Sequence, residues 1–492
     1  MKKSVKIALI LAVLSFSACS DSEKTYFQLS QLPPTFPDYT NITIPCNIAP
    51  LNMIVPDSGL VSLTVLVEGK NKYSFNSSSA LMKFPEKQWR SMLEAEKGNT
   101  LDVYFKIELK TETRAYQGFT WTVSPDSIDR YLSYRLIEPA YEVWNKISIE
   151  ERDLQSFKTR LLGDNNITGN SCMNCHISNH ASTPTTFMHL RGKGGGTIYC
   201  RDGKIRIINA KAGDNGHAVY GEITSNGKYG VFTTADIVPI LHSNPKDRLE
   251  VFDRRSDLII IDFENETVIS SPIIAREDRL ETFPCFSADN SKIYFCSAEG
   301  KPQPDSTANV RYNLYSINFD PETGAIGDSI TQVFGATGKS VNFPKTSPDG
   351  KYLLFAVSDY GTFPIWHRET DLWMLNLENG TLNTLDNTNG ENSDSYHSWS
   401  GNSRWFAFAS KRSDGVYGQV FFAHVNDDGS ASRAFVLPQK NPDFYKTTFK
   451  SFNIPELYRQ AEQYDAHIIK KLYVIPAKAD KDVIPAKAGI PR

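Results

Sequence analysis

The feature that most constrains the fold of this chain is a repeated unit in its second half. Four segments combine a leading serine, a tight turn rich in Asp, Asn and Gly, and an apolar strand; they begin at Ser225, Ser287, Ser347 and Ser400. These serines lie 62, 60 and 53 residues apart, and a second predicted hairpin follows each unit. Two hairpins make a four-stranded blade, and blades at a near-constant period are typical of a β-propeller. The repeat predicts a propeller of five or six blades over residues 196–440.

Composition agrees with a mainly β protein. The 492 residues include 28 Phe, 22 Tyr, 7 Trp, 30 Gly and 26 Pro, a mixture that favours strands and turns over helices. The net charge of −3 gives no electrostatic support for binding nucleic acid, and we expect no such partner.

The first half predicts two further units. Strand-forming segments over residues 38–125 predict a β-rich domain resembling a sandwich, with one helical segment at residues 86–96. Residues 126–195 predict a short helical linker, because apolar residues recur at helical spacing over 128–136 and 149–161. We therefore expect a mainly β chain in which a short helical linker joins a β-rich domain to a propeller.

The sequence divides into seven predicted segments. Its segments are a lipoprotein signal peptide (1–19), a tether (20–37), the β-rich domain (38–125), the helical linker (126–195), the propeller (196–440), a C-terminal extension (441–470) and a disordered tail (471–492).

The chemistry is concentrated at residues 171–176, which read Ser-Cys-Met-Asn-Cys-His. This C-x-x-C-H spacing is typical of covalent haem c attachment, with thioethers from Cys172 and Cys175 and His176 as an iron ligand. We therefore expect the short helical linker to bind haem. A zinc site would need a second close pair of ligands, which the sequence lacks. A thioredoxin-type dithiol would need a strand followed by a helix, and this setting is also missing.

The sixth iron ligand would decide what such a haem does. Met188 and His189 are the leading candidates, because the glycine-rich turn at residues 191–196 returns the chain past the motif. Methionine would raise the reduction potential, a second histidine would typically lower it, and an open position would allow peroxidase-type chemistry. Further candidates are His180, His217, His242 and His397.

The N-terminus predicts export. Residues 1–6 are basic, residues 7–14 are apolar, and small residues precede Cys19. An apolar run this short is typical of a signal peptide. Its end resembles a bacterial lipobox, which implies lipidation of Cys19; ordinary secretion is the alternative. Since no later segment reaches about 20 apolar residues, we expect contact with the membrane through a lipid anchor only.

Two other sequence features leave alternatives open. Cys285 and Cys296 flank a predicted hairpin, so they are either a cross-strand disulfide or two buried free thiols. Phe283-Pro284, Phe343-Pro344 and Tyr396-His397 occupy equivalent places in the repeat, before the innermost strands. We expect them to rim a central channel.

Residues 347–351 (Ser-Pro-Asp-Gly-Lys) resemble the repeats of TolB-like propellers. Together with the haem motif and the Tyr-His-Ser-Trp-Ser segment at 396–400, they resemble a family of Bacteroidetes-type envelope lipoproteins, often labelled TolB-like or cytochrome c biogenesis proteins. The resemblance implies a periplasmic protein anchored to the outer membrane by lipid.

Three functions remain as hypotheses. The first is single-electron transfer by a monohaem protein whose propeller docks an envelope partner. The second is an interaction scaffold in which haem is structural. The third is a haem enzyme with five-coordinate iron. No G-x-S-x-G segment and no convincing carboxylate pair points to other catalysis.

Overall fold

The computed structural model describes residues 24–56, 59–138, 146–168, 170, 172–179, 185–190, 196–208, 217–241, 249–300, 302 and 306–474, and these residues form a mainly β structure. Cys19, His180, His242 and residues 475–492 lie outside this part of the chain. Among the described residues, no helix is both long enough and apolar enough to cross a bilayer.

The N-terminal unit is built on a seven-stranded sheet. Its elements are β1 (Thr25–Gln28), β2 (Ile42–Pro45), β3 (Met53–Ile54), β4 (Leu60–Glu68), β5 (Lys72–Ser77), β6 (Leu81–Met82), α1 (Glu86–Ala95), β7 (Thr100–Leu109), β8 (Glu112–Ala115) and β9 (Phe119–Ser124). The sheet runs β1-β8-β7-β4-β5, with β9 beside β7 and β2 beside β9, while β3 pairs with β6. The strands and the helix predicted here are confirmed, and the two-layer sandwich stays a prediction.

Alternation along β7 explains how this sheet forms a core. Leu101, Val103 and Phe105 are buried, whereas Asp102 and Tyr104 between them face solvent. A period of two places all apolar residues on one face of a strand. That face is covered by α1, which buries its own apolar side chains against the sheet.

Glu96, directly after α1, holds the turn between β4 and β5. Its fully buried carboxylate accepts hydrogen bonds from the backbone N–H groups of Lys70 (2.9 Å) and Asn71 (3.0 Å) and from the Tyr73 hydroxyl (3.1 Å). We expect Glu96→Ala to lower the free energy of unfolding by about 3 kcal/mol, because buried donors would lose a charged acceptor. Urea denaturation measures this. The control Glu94→Ala, at an exposed site paired with Lys97, should cost less than about 1 kcal/mol. Equal losses in both variants would contradict the assigned role.

The described residues after 130 form six four-stranded antiparallel sheets, numbered here in chain order. Sheet 1 begins with β10 (Tyr131–Ile137), β11 (Ile147–Asp153) and β12 (Thr159–Asp164); sheet 2 holds β13 (Met173–Ser178), β14 (Thr186–Leu190), β15 (Gly196–Arg201) and β16 (Lys204–Ile208); sheet 3 holds β17 (Ala218–Ile223), β18 (Tyr229–Leu241), β19 (Leu249–Asp262) and β20 (Thr267–Ile269). Sheet 4 holds β21 (Arg279–Phe286), β22 (Lys292–Glu299), β23 (Asn313–Phe319) and β24 (Ile326–Phe334); sheet 5 holds β25 (Ser340–Thr346), β26 (Tyr352–Ser358), β27 (Asp371–Asn376) and β28 (Leu382–Asn383); sheet 6 holds β29 (Asp394–Trp399), β30 (Trp405–Ser410), β31 (Gln419–His424) and β32 (Phe435–Val436). Then follow α2 (Phe444–Thr447), β33 (Ser451–Tyr458) and α3 (Ala466–Val474).

The C-terminal strand completes the first sheet. β33 pairs antiparallel with β10, with Leu132 opposite Leu457, so that sheet 1 runs β12-β11-β10-β33. The predicted C-terminal extension (441–470) therefore contains a strand of the repeated architecture. The predicted disordered tail begins inside α3, which extends to Val474.

The predicted helical linker over residues 126–195 is wrong. Strands β10 to β14 lie in this range, and the motif at 172–176 enters a strand instead of a helix. β10 is buried on both faces, and such strands form near-continuous apolar runs whose spacing mimics a helical face. The sheets consequently extend beyond the predicted limits 196–440 at both ends.

One strand of each sheet contacts its counterpart in the next sheet. These six strands, called the inner strands below, are β33, β13, β17, β21, β25 and β29. In chain order β13 contacts β17, β17 contacts β21, β21 contacts β25 and β25 contacts β29; β33 then contacts both β29 and β13.

The predicted turns follow the inner strands. The backbone N–H of Ser287 donates to the carbonyl of Lys292 (2.9 Å), and that of Ser347 donates to Tyr352 (2.8 Å). In sheet 3 the same bond is made by Thr224, one residue before the serine predicted from the sequence.

The segment that follows the N-terminal sheet contacts sheet 6: the Trp405 indole N–H donates to the Asp126 carbonyl (3.0 Å).

Candidate functional site

The inner strands share one backbone irregularity. Tyr220, Phe283, Phe343, Tyr396 and Ile454 all have positive φ, between 34° and 53°, and each sits where the pairing register shifts. Positive φ is uncommon outside glycine, so its recurrence at one position in five sheets marks a shared β-bulge.

The C-x-x-C-H motif occupies the sixth copy of this bulge. In β13 the register shifts between Asn174 and Ile177, across Cys175 and His176. Cys175 thus corresponds to the residues of positive φ in the other inner strands. The next position holds His176 here, proline in β21, β25 and β33, and His397 in β29.

His176 is buried without a partner. Its exposed fraction is 2%, and within the described part of the chain neither ring nitrogen makes a hydrogen bond. Burial, and secondarily the nearby Arg135 guanidinium, lowers the pKa of His176 to about 3. The imidazole is therefore neutral at physiological pH, and a neutral imidazole with an unshared nitrogen is the form that binds iron.

The two cysteines of the motif are not equally well described. Cys172 is in no disulfide and has an exposed fraction of 7%, whereas the Cys175 side chain lies outside the described atoms. Met173, between them, packs against sheet 1: a Cβ added at Gly163 would lie 2.6 Å from its sulfur. His176 fits a haem ligand by its unpaired nitrogens; for Cys172 the structure adds only that its thiol is reduced and buried.

The predicted sixth ligands lie on β14, and alternation separates them. Met188 packs in an apolar cluster with Met173 and Tyr464 between sheets 1 and 2. His189 points to the other face, where its Nδ1 lies 3.4 Å from the Thr197 hydroxyl and its ring 4.7 Å from that of His217. The two candidates therefore cannot serve the same side of the sheet.

His397 is the counterpart of His176 in β29. It is also buried, and its Nε2 lies 2.9 Å from the carbonyl oxygen of Leu354 in the preceding sheet. Burial lowers the pKa of His397 to about 3. In His397 a main-chain carbonyl satisfies one ring nitrogen and Nδ1 has no partner, whereas in His176 neither nitrogen has a partner among the described residues.

The predicted pair Cys285 and Cys296 is not bonded. Both thiols are free and buried, in agreement with the second of the two sequence alternatives. Burial raises the pKa of each thiol far above its ordinary value, so neither is a reactive thiolate.

A polar group that the sequence did not reveal lies two residues after the bulge. This position holds Glu222 in β17, Lys345 in β25 and Glu456 in β33. Burial raises the pKa of Glu456 to about 7 against the opposing effect of Lys345, and burial likewise raises the pKa of Glu222. Burial would lower the pKa of Lys345, but Glu222 and Glu456 outweigh it and raise that pKa.

The sequence carried a partial signal for this group. Phe283-Pro284 and Phe343-Pro344 were already equivalent by repeat position, and Ile454-Pro455 is a third copy followed directly by Glu456. Without the pairing of β33 and β10, nothing placed that copy in the repeat. Within the described residues, no set of three or more His, Cys, Asp or Glu side chains could hold a metal ion.

Comparisons with known proteins assign the chain to no family. No family model matches the chain, and no curated protein matches it. Among solved structures it is similar to a puromycin hydrolase S511A mutant complexed with PGG (10% identity, TM-score 0.37, covering 62% of this chain and 45% of that one). It is also similar to a DUF4784 family protein from Bacteroides caccae (9%, 0.30, 72% and 95%) and to the periplasmic gluconolactonase of Pseudomonas aeruginosa (12%, 0.34, 63% and 96%). The chain thus spans less than half of the puromycin hydrolase, and likeness at these TM-scores carries no argument about function.

Proposed function

We propose that sheets 1 to 6 are the blades of a closed six-bladed β-propeller around a central channel. The support is the cyclic order of contacts among the inner strands, with β33 touching both β29 and β13. A last strand that pairs into the first sheet is the ordinary way for a ring of sheets to close. We also propose that the N-terminal sheet and the β3–β6 pair are the two layers of a sandwich.

We further propose that this protein is a monohaem c-type cytochrome-like protein of the bacterial envelope that transfers single electrons. Cys172 and Cys175 would hold the porphyrin through thioethers, and His176 would ligate the iron. The supporting observation is that a fully buried imidazole, with both nitrogens unpaired among the described residues, occupies the histidine of a C-x-x-C-H motif. An unsatisfied buried polar group costs about 1–3 kcal/mol, so such a histidine calls for a ligand.

The chain's own residues define what the site would contribute. Because burial keeps the pKa of His176 near 3, its nitrogen stays unprotonated on mild acidification. Bound haem c would supply reversible one-electron exchange at the iron. The positive charge of Arg135 in β10 opposes any further positive charge at this site. Met188 and His189 remain the proposed sixth ligands, as alternatives on opposite faces of β14.

Location and partner follow from the sequence. We propose that Cys19 is lipidated, that the protein is periplasmic and anchored to the outer membrane, and that the propeller docks an envelope protein. The burial of His176 favours a second function, an interaction scaffold in which haem is structural. A haem buried as deeply as His176 would hold β13 against sheet 1, but it would exchange electrons slowly with a partner protein.

The first test is the mass and spectrum of protein made in a host with haem c maturation. We expect wild type to carry the mass of one covalent porphyrin and a c-type spectrum. Both should disappear in Cys172→Ala/Cys175→Ala. The control Cys285→Ala alters a buried thiol two residues after the bulge of β21 and should keep both. Porphyrin-free wild type that takes up zinc stoichiometrically instead would overturn the assignment.

A redox titration separates the two candidate functions. A potential within the range of envelope electron carriers, together with oxidation by a soluble acceptor, is expected for electron transfer. A very low potential with unchanged binding of the partner would favour the scaffold.

A further inference from the structure

We propose that the central channel binds a small zwitterion, such as a free α-amino acid, between Lys345 on one side and Glu222 and Glu456 on the other. This site rests on the proposed closure of the six sheets and is independent of haem.

The three side chains occupy matching places on three strands. Each lies two residues after the bulge of its inner strand, so all three project at the same level of the ring. In the order of contacts, β17 and β33 flank β13, and β25 is three strands from β13 in either direction. The three charged residues therefore lie on alternate strands of the proposed ring, with Lys345 two strands from each carboxylate. Their mutual effects on the three pKa values agree with this placement.

None of these charges is neutralised by direct contact within the described structure. Lys345 makes no ion pair or hydrogen bond there through its ammonium group; its Nζ lies 5.6 Å from the centre of the Phe343 ring. Glu456 is 4% exposed, and its carboxylate accepts no hydrogen bond from a described residue. Glu222 accepts one, from the backbone N–H of Phe286 (3.1 Å). Glu456 is buried and Glu222 and Lys345 are half-buried. Unpaired charges that are withdrawn even partly from water are costly, and a ligand that pairs them recovers part of that cost.

Aromatic side chains line four of the six strands of the proposed channel at the level of the bulge. Tyr220, Phe283, Phe343 and Tyr396 follow one another around the ring, with successive centroids 5.0, 5.3 and 4.9 Å apart. Phe363 also packs on Tyr220 (5.7 Å) and Phe283 (5.8 Å). These contiguous rings narrow the proposed channel at this level, which favours a small ligand.

The charge pattern selects the chemical class. A carboxylate on the ligand would pair with Lys345, and an ammonium group would pair with Glu222 and Glu456. A simple anion would leave both carboxylates unpaired, and a simple cation would leave Lys345 unpaired. An ammonium group beside Glu456 would also lower the pKa of that carboxyl, so binding near pH 7 should release protons.

The test uses the full mature chain and calorimetric titration with glycine, L-alanine, acetate and methylammonium. We expect the two amino acids to bind at least tenfold more tightly than acetate or methylammonium, with proton release that appears as a dependence of the heat on buffer. Lys345→Met should weaken amino-acid binding at least tenfold, and Glu222→Gln/Glu456→Gln should do the same. Lys351→Met, at an exposed lysine in the turn after β25, should change nothing.

Several outcomes would overturn the proposal. Equal binding of acetate and glycine would make this an anion site, equal binding of methylammonium would make it a cation site, and no binding of either amino acid would leave no site. The titration on wild type needs no variant, so it decides the question even if Lys345→Met fails to fold. Haem-free Cys172→Ala/Cys175→Ala should bind amino acids as wild type does, so loss of the haem proposal would leave this one intact.

Discussion

Truncation after Lys450, which removes β33, is expected to abolish cooperative unfolding of the chain. β33 buries Phe452, Leu457 and Tyr458 at 2%, 1% and 1% exposure, and its loss uncovers the whole edge of β10. Each large apolar side chain contributes about 1.5–3 kcal/mol when buried. Three such losses approach the 5–15 kcal/mol that typically separates folded from unfolded states.

Buried polar contacts add to this loss. The Tyr458 hydroxyl donates to the Glu151 carboxylate at 3.0 Å, and the backbone N–H of Glu462 donates to the same oxygen at 2.7 Å. In the truncated chain Glu151 would keep only its pair with Arg160 (2.7 Å), in a sheet that had lost its inner strand.

Thermal unfolding followed by circular dichroism measures the effect. The matched control is truncation after Val474, which keeps β33 and α3. Its melting temperature should stay within about 2 °C of wild type. If the chain ending at Lys450 melted as wild type does, β33 would not be the closing strand, and the proposed ring would lose its main support.

The part of the fold that local sequence could predict is the part built from sequential hairpins. Sheets 4 to 6 follow from serine turns at Ser287, Ser347 and Ser400, because each turn and its strands are neighbours along the chain. Sheet 1 pairs Leu132 with Leu457, more than 300 residues apart, and no local periodicity encodes such a partner.

The second predicted helix failed for an instructive reason. Ile149, Leu154, Phe157 and Leu161 have helical spacing, yet Ile149 is in β11, Leu154 and Phe157 lie in the turn, and Leu161 is in β12. Leu161 is 38% exposed, so these residues share no apolar face. A strand, a turn and a strand can reproduce a 3.6-residue period by accident when the segment is short.

The candidate site also has a part that the local sequence predicts and a part that only the fold reveals. The C-x-x-C-H spacing is local and visible, whereas its position at a bulge shared by six strands and the burial of His176 require the fold. Glu222, Lys345 and Glu456 are separated by more than 100 residues each and carry no spacing signal. The proline after the bulge, at 344 and 455, marks the strands of Lys345 and Glu456 as equivalent, whereas the strand of Glu222 carries Gly221 at that position.

Asp253→Asn is expected to stabilise the protein at alkaline pH by up to about 4 kcal/mol and to have little effect at pH 4. Asp253 lies on β19 with no exposed surface, and neither carboxylate oxygen has a partner among the described residues. Burial raises its pKa from 3.8 to about 7, against the opposing effect of the nearby Thr282 hydroxyl and with a smaller contribution from the charge of Asp236. At pH values above both the unfolded-state and the folded-state pKa of Asp253, the difference between these two pKa values corresponds to about 4 kcal/mol of stability.

The sign follows from proton binding. Between pH 3.8 and about 7 the folded state holds the Asp253 proton while the unfolded state has released it. Stability therefore falls as pH rises through this window and is constant beyond it. Asparagine stays neutral at every pH, so it removes the fall that Asp253 causes. Glu281 on β21, whose pKa burial raises from 4.5 to about 8, should add its own overlapping decline over that interval in both proteins.

Urea denaturation at pH 4, 6 and 8 tests this argument. The difference between Asp253→Asn and wild type should be near zero or slightly unfavourable at pH 4, because both side chains are then neutral, and should grow in favour of the variant by pH 8. Asp328→Asn, at an exposed carboxylate in β24, is the control and should shift stability by less than about 0.5 kcal/mol throughout. If the Asp253→Asn curve instead ran parallel to wild type at all three pH values, the proton on this buried carboxyl would not govern the pH dependence of folding. A loss of stability in Asp253→Asn that was the same at all three pH values would show instead that a hydrogen-bond donor pairs with the Asp253 carboxylate and does not fit asparagine.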